Sequence, residues 1–180
     1  MGVTVLYGGA FDPPHLGHVA VADAAREHFG VERLVILVSE RPAHRKTYAS
    51  AEDRVALAHA AFPRDDVRLD RYPRTVELLR TERFADPIVV VGADQFAGFL
   101  GWVEPDQILE LATLAVATRP GYPRAQLDAV LAQLARPERV VFLDIAPNPA
   151  SSTDIRAGSS LDDVPPAVAD MIEARWLYRP

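Results

Sequence analysis

Short apolar runs recur along the chain, most of them without the alternating polar residues of a sheet that faces water on one side. They lie at 3–7, 34–38, 67–69, 88–91, 114–117 and 140–143. Such runs are typical of strands that are covered on both faces, and intervening helices join such strands in parallel. The sequence therefore predicts a Rossmann-like α/β fold, a doubly wound parallel sheet with helices on both faces.

The intervening helices are predicted from apolar residues at three- and four-residue spacing. In the first, apolar residues recur in this way from Leu16 to Phe29, and Gly30 is expected to end the helix. Further helices are predicted at 52–62, 75–83, 105–112 and 124–135. A last helix is expected to bury Val168, Met171, Ile172 and Trp176 on one face.

Composition narrows the class of protein. The 180 residues are predicted to form a single domain spanning 1–180, and the absence of cysteine excludes thiolate catalysis and disulfides. A formal net charge of −6 argues against a nucleic-acid binder or an anionic-membrane binder. No apolar run approaches the ~18 residues of a membrane helix. We expect a cytoplasmic protein, and the sequence does not decide between a monomer and a homo-oligomer.

The stretch GGAFDPPHLGH follows the first predicted strand, at 8–18. Its glycines let a ligand approach the main chain, and Asp12 before two prolines predicts the N-cap of a helix. His15 and His18 then share a face of the first turn, where two imidazoles suit a phosphate chain. Two alternatives are a metal site on this histidine pair, and a structural cap with ordinary surface histidines.

This stretch resembles the G-x-F-D-P-x-H-x-G-H signature of the nucleotidylyltransferase superfamily, whose loop binds ATP phosphates through its histidines. The resemblance implies catalytic roles for His15 and His18. It also implies main-chain contacts to ATP from Gly8, Gly9, Ala10 and Phe11. The shorter H-L-G-H also resembles a motif of class I aminoacyl-tRNA synthetases, but the acidity of the chain disfavours a role in RNA binding.

A second motif, SSTDIR at 151–156, lies near the other end of the sequence and resembles the I-S-S-T-x-I-R motif of the same superfamily. The resemblance implies that Ser151, Ser152 and Thr153 bind ATP phosphates and that Arg156 supplies a fixed catalytic charge. The alternative is an ordinary capping box between Ser151 and Asp154.

A third segment follows the run at 88–91 and resembles the G-x-D…W segment of nicotinate/nicotinamide mononucleotide adenylyltransferases. The resemblance implies that Gly92 and Asp94 contact the adenosine ribose, and that Trp102 stacks on the pyridine ring of the acceptor. Trp102 is expected in a helix-poor stretch. As alternatives, Trp102 is a core or lid aromatic and Asp94 is a helix cap.

The remaining acceptor-binding candidates come from two further segments that resemble the same family. His44, Arg45 and Lys46 match its P-P-H-R/K segment, which faces the mononucleotide phosphate and ATP. Thr75 matches a T-V-x-x-L helix start that meets the nicotinate group, with Arg74 in the place of the usual aromatic residue. The alternatives are a solvated basic face and a plain N-cap at Thr75.

Together these resemblances imply a nicotinate mononucleotide adenylyltransferase that uses ATP and releases pyrophosphate in NAD biosynthesis. Its cofactor is expected to be Mg²⁺ held mainly by ATP phosphates, with no metal ligands from the protein. Two alternatives stay open. One is another adenylyl- or cytidylyltransferase, such as the pantetheine-phosphate enzyme, and the other is a non-catalytic nucleotide sensor. The sequence does not decide between the nicotinate and nicotinamide acceptors.

Overall fold

Six parallel strands form one sheet in the computed structural model, which describes residues 2–42, 46–119, 121–158 and 160–178. The strands are β1 (Thr4–Gly9), β2 (Val35–Ser39), β3 (Asp66–Asp70), β4 (Pro87–Gly92), β5 (Thr113–Thr118) and β6 (Val140–Asp144). Their order is β3-β2-β1-β4-β5-β6, and every neighbouring pair is parallel. The predicted doubly wound parallel sheet is confirmed, and its strand order reverses between β1 and β4.

The described residues form eight α-helices. They are α1 (Leu16–Phe29), α2 (Ala51–Ala61), α3 (Thr75–Thr81), α4 (Ala93–Ala97), α5 (Pro105–Leu111), α6 (Arg124–Leu131), α7 (Ser152–Arg156) and α8 (Pro166–Ala174). Each predicted helix is present with slightly different ends, and Gly30 ends α1 in a left-handed conformation as predicted. Among these residues, no helix has the length and hydrophobicity needed to cross a membrane.

Both faces of the sheet are buried, which explains the lack of polar alternation in the strands. On β1, Val5 and Tyr7 pack into one apolar core with α1, α2 and α8. Leu6 points the other way, into a second core with α3, α4, α5 and α6. This period of two places successive side chains in opposite cores, so Val5, Leu6 and Tyr7 are all buried without an exposed position between them.

Two predictions about Trp102 and Trp176 are wrong. The stretch before Trp102 is not helix-poor, because α4 and a 3₁₀ turn at Phe99–Gly101 occupy it. Trp176 does not lie on the buried face of the last helix, because α8 ends at Ala174 and the helical periodicity ends with it. Trp176 has a left-handed backbone (φ 56°) and is 70% exposed.

Candidate active site

The candidate site lies at the carboxyl ends of β1 and β4, where the strand order reverses. Doubly wound sheets bind their ligands at this position. Gly8 and Gly9 end β1, and Gly92 ends β4. The loop from Ala10 to His15 therefore starts at the centre of the sheet and leads into α1.

Local hydrogen bonds fix the two histidines of the motif, one at the end of this loop and one in the first turn of α1. His15 is the N-cap, and its Nδ1 accepts a hydrogen bond from the Gly17 amide at 3.1 Å. His18 Nδ1 accepts from the His15 amide at 3.1 Å, and the two ring centroids are 3.8 Å apart. Because both Nδ1 atoms accept, each neutral ring carries its proton on Nε2. The two neighbouring rings therefore each carry one Nε2–H donor.

Close packing fixes the orientation of both rings. A Cβ atom at Gly17 would lie 2.9 Å from His15 Cε1, so a side chain at this position would displace the ring. The buried Phe11 ring meets His18 edge-on, with centroids 5.1 Å apart. Since the Phe11 side chain belongs to the core, only its main chain is available to a ligand.

Burial keeps His15 neutral. It lowers the pKa of His15 from 6.5 to about 4, against a smaller opposing effect of the Asp163 carboxylate. The imidazole is therefore a neutral donor near pH 7, and it titrates only in acid.

This lowered pKa makes stability depend on pH. Between about pH 6.5 and 4 the unfolded chain binds a proton at His15 that the folded chain does not. The free energy of unfolding should therefore decrease with falling pH in this range, by at most about 1.4 kcal/mol per pH unit for one such group. His15→Asn keeps an N-cap side chain that does not titrate. In urea denaturation, wild type should lose more stability than His15→Asn between pH 7 and 4.5. Equal losses would contradict this assignment.

Asp12 does not cap α1, which corrects the sequence-based prediction. Its carboxylate is 4% exposed and accepts hydrogen bonds from the main-chain amides of Tyr48, at 2.7 Å, and Ala49, at 3.1 Å. These amides belong to the segment between β2 and α2, so Asp12 joins the first loop to the second. The helix starts three residues later than predicted, because the Asp12 carboxylate bonds to a segment 36 residues further along the chain instead of to the start of α1.

The SSTDIR motif at 151–156 hydrogen-bonds to the main chain of the first loop. Ser152 Oγ donates to the Pro13 carbonyl at 2.8 Å, across 139 positions of sequence. Arg156 Nη1 donates to the Asp12 carbonyl at 2.6 Å, and Nη2 donates to Thr153 Oγ1 at 3.2 Å. Ser151 occupies the N-cap of α7 without a side-chain cap bond, so the capping-box alternative is wrong.

Tyr48 brings the second loop beside Arg156. The Arg156 guanidinium lies 4.7 Å from the centroid of the Tyr48 ring, and Lys46 Nζ lies 5.6 Å from the same centroid. Of the basic residues predicted to bind the acceptor, Lys46 is therefore close to the candidate catalytic arginine. His44 and Arg45 lie outside the described residues.

Arg54 is a site residue that sequence reasoning missed. It is 1% exposed, and its guanidinium donates to the carbonyls of Ala10 (2.9 Å), Ser39 (2.6 Å) and Glu40 (3.1 Å). It thus ties the end of β1 to the end of β2 and brings a positive charge beneath the first loop. The sequence feature that could have identified it is an arginine at helical spacing from Leu57 and Ala58, on the buried face of α2.

The residues after β4 form the adenosine side of the predicted site. Gly92 is the N-cap of α4, and its amide donates to Gln95 Oε1 at 2.9 Å. Asp94 lies exposed in the first turn, so it is not the cap, and its Oδ1 accepts from the Tyr122 hydroxyl at 3.1 Å. Tyr122 also lines an open cavity of about 480 Å³ between the loops after β5 and β6.

Of the acceptor residues predicted after β3 and β4, Trp102 packs against the second core, and Arg74 and Thr75 begin α3. Trp102 is half-buried there, 5.4 Å from Phe99 between ring centroids, so it has both a packing role and an exposed part. Arg74 occupies the N-cap of α3 without a cap bond, and Thr75 is the first helical residue. The N-cap alternative for Thr75 is therefore wrong. An Arg80–Glu104 bond (3.1 Å) joins α3 to the segment after Trp102.

Comparison with known proteins agrees with this architecture. Residues 6–158 match the sequence profile of the cytidylyltransferase-like family. A probable nicotinate-nucleotide adenylyltransferase of Thermus thermophilus is 37% identical over 191 residues, covering 97% of this chain and 98% of the relative. One from Rubrobacter xylanophilus is 34% identical over 194 residues, covering 97% and 91%. The chain belongs to the nicotinate-nucleotide adenylyltransferase family.

Solved structures share the fold of this nicotinate-nucleotide adenylyltransferase family member. The Plasmodium falciparum nicotinic acid mononucleotide adenylyltransferase complexed with NaAD superposes with a TM-score of 0.78 at 15% identity, covering 99% of this chain and 98% of that one. A putative nicotinate-nucleotide adenylyltransferase from Vibrio parahaemolyticus gives a TM-score of 0.65 at 22% identity, covering 99% and 96%. The predicted family and fold are both confirmed.

Proposed function

We propose that this protein transfers the adenylyl group of ATP to nicotinate mononucleotide, giving nicotinate adenine dinucleotide and pyrophosphate. The observation that carries the proposal is the contact between the two ends of the sequence, in which Arg156 and Ser152 bond to the main chain of the loop that holds His15 and His18. The names of the family members support the choice of reaction and acceptor.

The donors at this contact suit a displacement at the α-phosphorus of ATP. A phosphate oxygen of the mononucleotide attacks that phosphorus, and the bond to the bridging β-phosphate oxygen breaks as pyrophosphate leaves with the electron pair. The attacking oxygen is already anionic near neutral pH, so no general base is required. The chain has to hold two polyanions in line and stabilise the leaving charge. His15, His18 and Arg156 would do this through two Nε2–H groups and a guanidinium.

The rest of the ATP site is proposed around this centre. The main chain from Gly8 to Phe11 and the segment from Ser151 to Thr153 would contact phosphates, while Gly92 and Asp94 would bind the ribose. The Tyr122 hydroxyl holds the Asp94 carboxylate, which can accept hydrogen bonds from ribose hydroxyls.

The acceptor is proposed to bind beside the segment between β2 and α2 and the segment that follows β4. Lys46, together with His44 and Arg45, would face its phosphate, and Trp102 would stack on its pyridine ring. Arg74 and Thr75 at the start of α3 would meet the nicotinate group. Arg74 already has a carboxylate partner, because its Nη1 lies 3.4 Å from Glu77 Oε1. A nicotinate carboxylate would compete with that exposed pair.

We propose Mg²⁺ as the cofactor, bound mainly by ATP phosphates. Within the described ranges, no group of three histidine, aspartate or glutamate side chains is placed to hold a metal ion. The site instead offers cationic and N–H donors, which suit phosphate oxygens. When bound with ATP, the ion supplies charge neutralisation on the phosphates. Small-molecule nucleotides in the cytoplasm are the proposed partners, without nucleic acid.

Pyrophosphate release from Mg-ATP tests this function, with nicotinate mononucleotide, nicotinamide mononucleotide and phosphopantetheine as parallel acceptors. We expect the fastest release with the nicotinate form, and none when EDTA replaces Mg²⁺. Release with phosphopantetheine alone would support the proposed ATP site and contradict the proposed acceptor. ATP binding without release for any acceptor would instead support a nucleotide sensor.

A further inference from the structure

The segment after α8 reaches back to the first loop. The Tyr178 hydroxyl donates to Asp12 Oδ1 at 2.7 Å, across 166 positions of sequence. It is the third donor to this buried carboxylate, after the amides of Tyr48 and Ala49. The carbonyl of the same aspartate accepts from Arg156. Asp12 therefore connects four segments of the chain: its own loop, the segment between β2 and α2, helix α7, and the segment after α8 that contains Tyr178.

The backbone adopts unfavourable conformations to make this contact. Trp176 and Tyr178 both have positive φ angles, 56° and 60°, which residues other than glycine rarely adopt. Such conformations persist only when surrounding contacts stabilise them. The Arg175–Asp53 ion pair (2.8 Å) and the packing of Leu177 and Tyr178 on the first core hold the segment in place.

The hydroxyl is suited to be a permanent donor. Burial and the adjacent Asp12 carboxylate raise the pKa of Tyr178, so its proton stays on the oxygen throughout the physiological range. A buried carboxylate that loses a hydrogen-bond donor is under-satisfied and shifts toward other partners. Here such a shift would move the main chain of the loop that precedes His15.

We propose that Tyr178 is a positioning residue for adenylyl transfer, acting through Asp12. Its hydroxyl fixes the Asp12 carboxylate, and the Asp12 main chain in turn fixes the Arg156 guanidinium beside the phosphate site. The inference rests on the proposed function, because the position of Arg156 matters for turnover only if the site binds a polyphosphate.

Tyr178→Phe tests the inference, since it keeps the ring in the core and removes only the hydroxyl. We expect kcat to decrease by about tenfold, because losing one hydrogen bond to the charged Asp12 carboxylate loosens the loop that positions Arg156. The control is Arg175→Gln, which removes the Arg175–Asp53 ion pair of the same segment, and kcat should stay within about twofold of wild type. Assays run well below the unfolding midpoints of both variants separate turnover from stability.

A double-mutant cycle with Asp12→Ala asks whether Tyr178 acts through Asp12, because alanine removes the carboxylate that accepts the Tyr178 hydrogen bond. If it does, Tyr178→Phe should reduce kcat by less than about threefold in the Asp12→Ala background, because both changes abolish the same hydrogen bond. Single-turnover conditions keep the slow variants measurable. An equal tenfold loss in both backgrounds would overturn the proposed route through Asp12.

The activity of the wild-type protein in the same experiment distinguishes failure of this inference from failure of the proposed function. An active wild type with full turnover in Tyr178→Phe would overturn this inference and leave the proposed function intact. Wild type that forms no dinucleotide would overturn the proposed function, and this inference with it.

Discussion

Replacing His18 with alanine is expected to lower turnover by about 10²-fold or more, the typical effect of removing a donor that stabilises developing charge. The structure supports this expectation because Nδ1 of His18 accepts from the His15 amide, so the neutral ring carries its donor proton on Nε2. The Phe11 ring beside it limits rotation of the imidazole. The loss should appear in kcat, measured with saturating Mg-ATP and nicotinate mononucleotide.

His28→Ala is the matched control for this substitution. His28 lies exposed at the other end of the same helix, so the variant removes a histidine from α1 without touching the candidate site. Its turnover should remain close to wild type. An unchanged rate in His18→Ala would contradict the assignment of the site.

Arg156→Ala is expected to reduce kcat/KM for ATP by about 10²-fold or more, because it removes the fixed charge that we propose faces the phosphates. Arg156→Lys should recover only part of this loss. Lysine keeps the charge, but it cannot donate to both the Asp12 carbonyl and Thr153 Oγ1 while stacking on the Tyr48 ring.

The control for these variants is Arg83→Ala, since Arg83 is an exposed arginine in the turn between α3 and β4. It should retain the wild-type kcat/KM. Equal activity of Arg156→Ala and Arg156→Lys, with both folded, would indicate that the charge of Arg156 does not contribute to catalysis.

The fold could be predicted because burial on both faces of a parallel sheet leaves a simple pattern in the sequence. Val5, Leu6 and Tyr7 are all apolar because they enter two different cores. Short elements do not leave such a pattern. Helix α4 has only five residues, too few to show a periodicity, and its capping glycine suggests a loop instead.

The candidate site could be predicted only as separate motifs. The spacing of His15 and His18 predicts a shared face, and the structure places their rings in contact. The roles of these residues stay predictions. The contact between Ser152 and Pro13 depends on strand order, which local sequence does not determine.

Asp12 and Arg54 show why local reasoning fails at this site. An aspartate before two prolines fits a helix start, yet its carboxylate accepts from two amides 36 and 37 residues away and from the Tyr178 hydroxyl 166 residues away. Arg54 interrupts the apolar face of α2, and only the folded chain reveals the three carbonyls that it binds. Both residues hold loops together, a role that has no short sequence signature.

The most direct test of the central claim follows the α-phosphorus of ATP. The protein is incubated with Mg²⁺, nicotinate mononucleotide and ATP labelled at that phosphorus, and the products are separated. We expect the label in nicotinate adenine dinucleotide, with one pyrophosphate released for each dinucleotide formed. Label that remains in ATP, or that is recovered as AMP, would contradict the proposed adenylyl transfer.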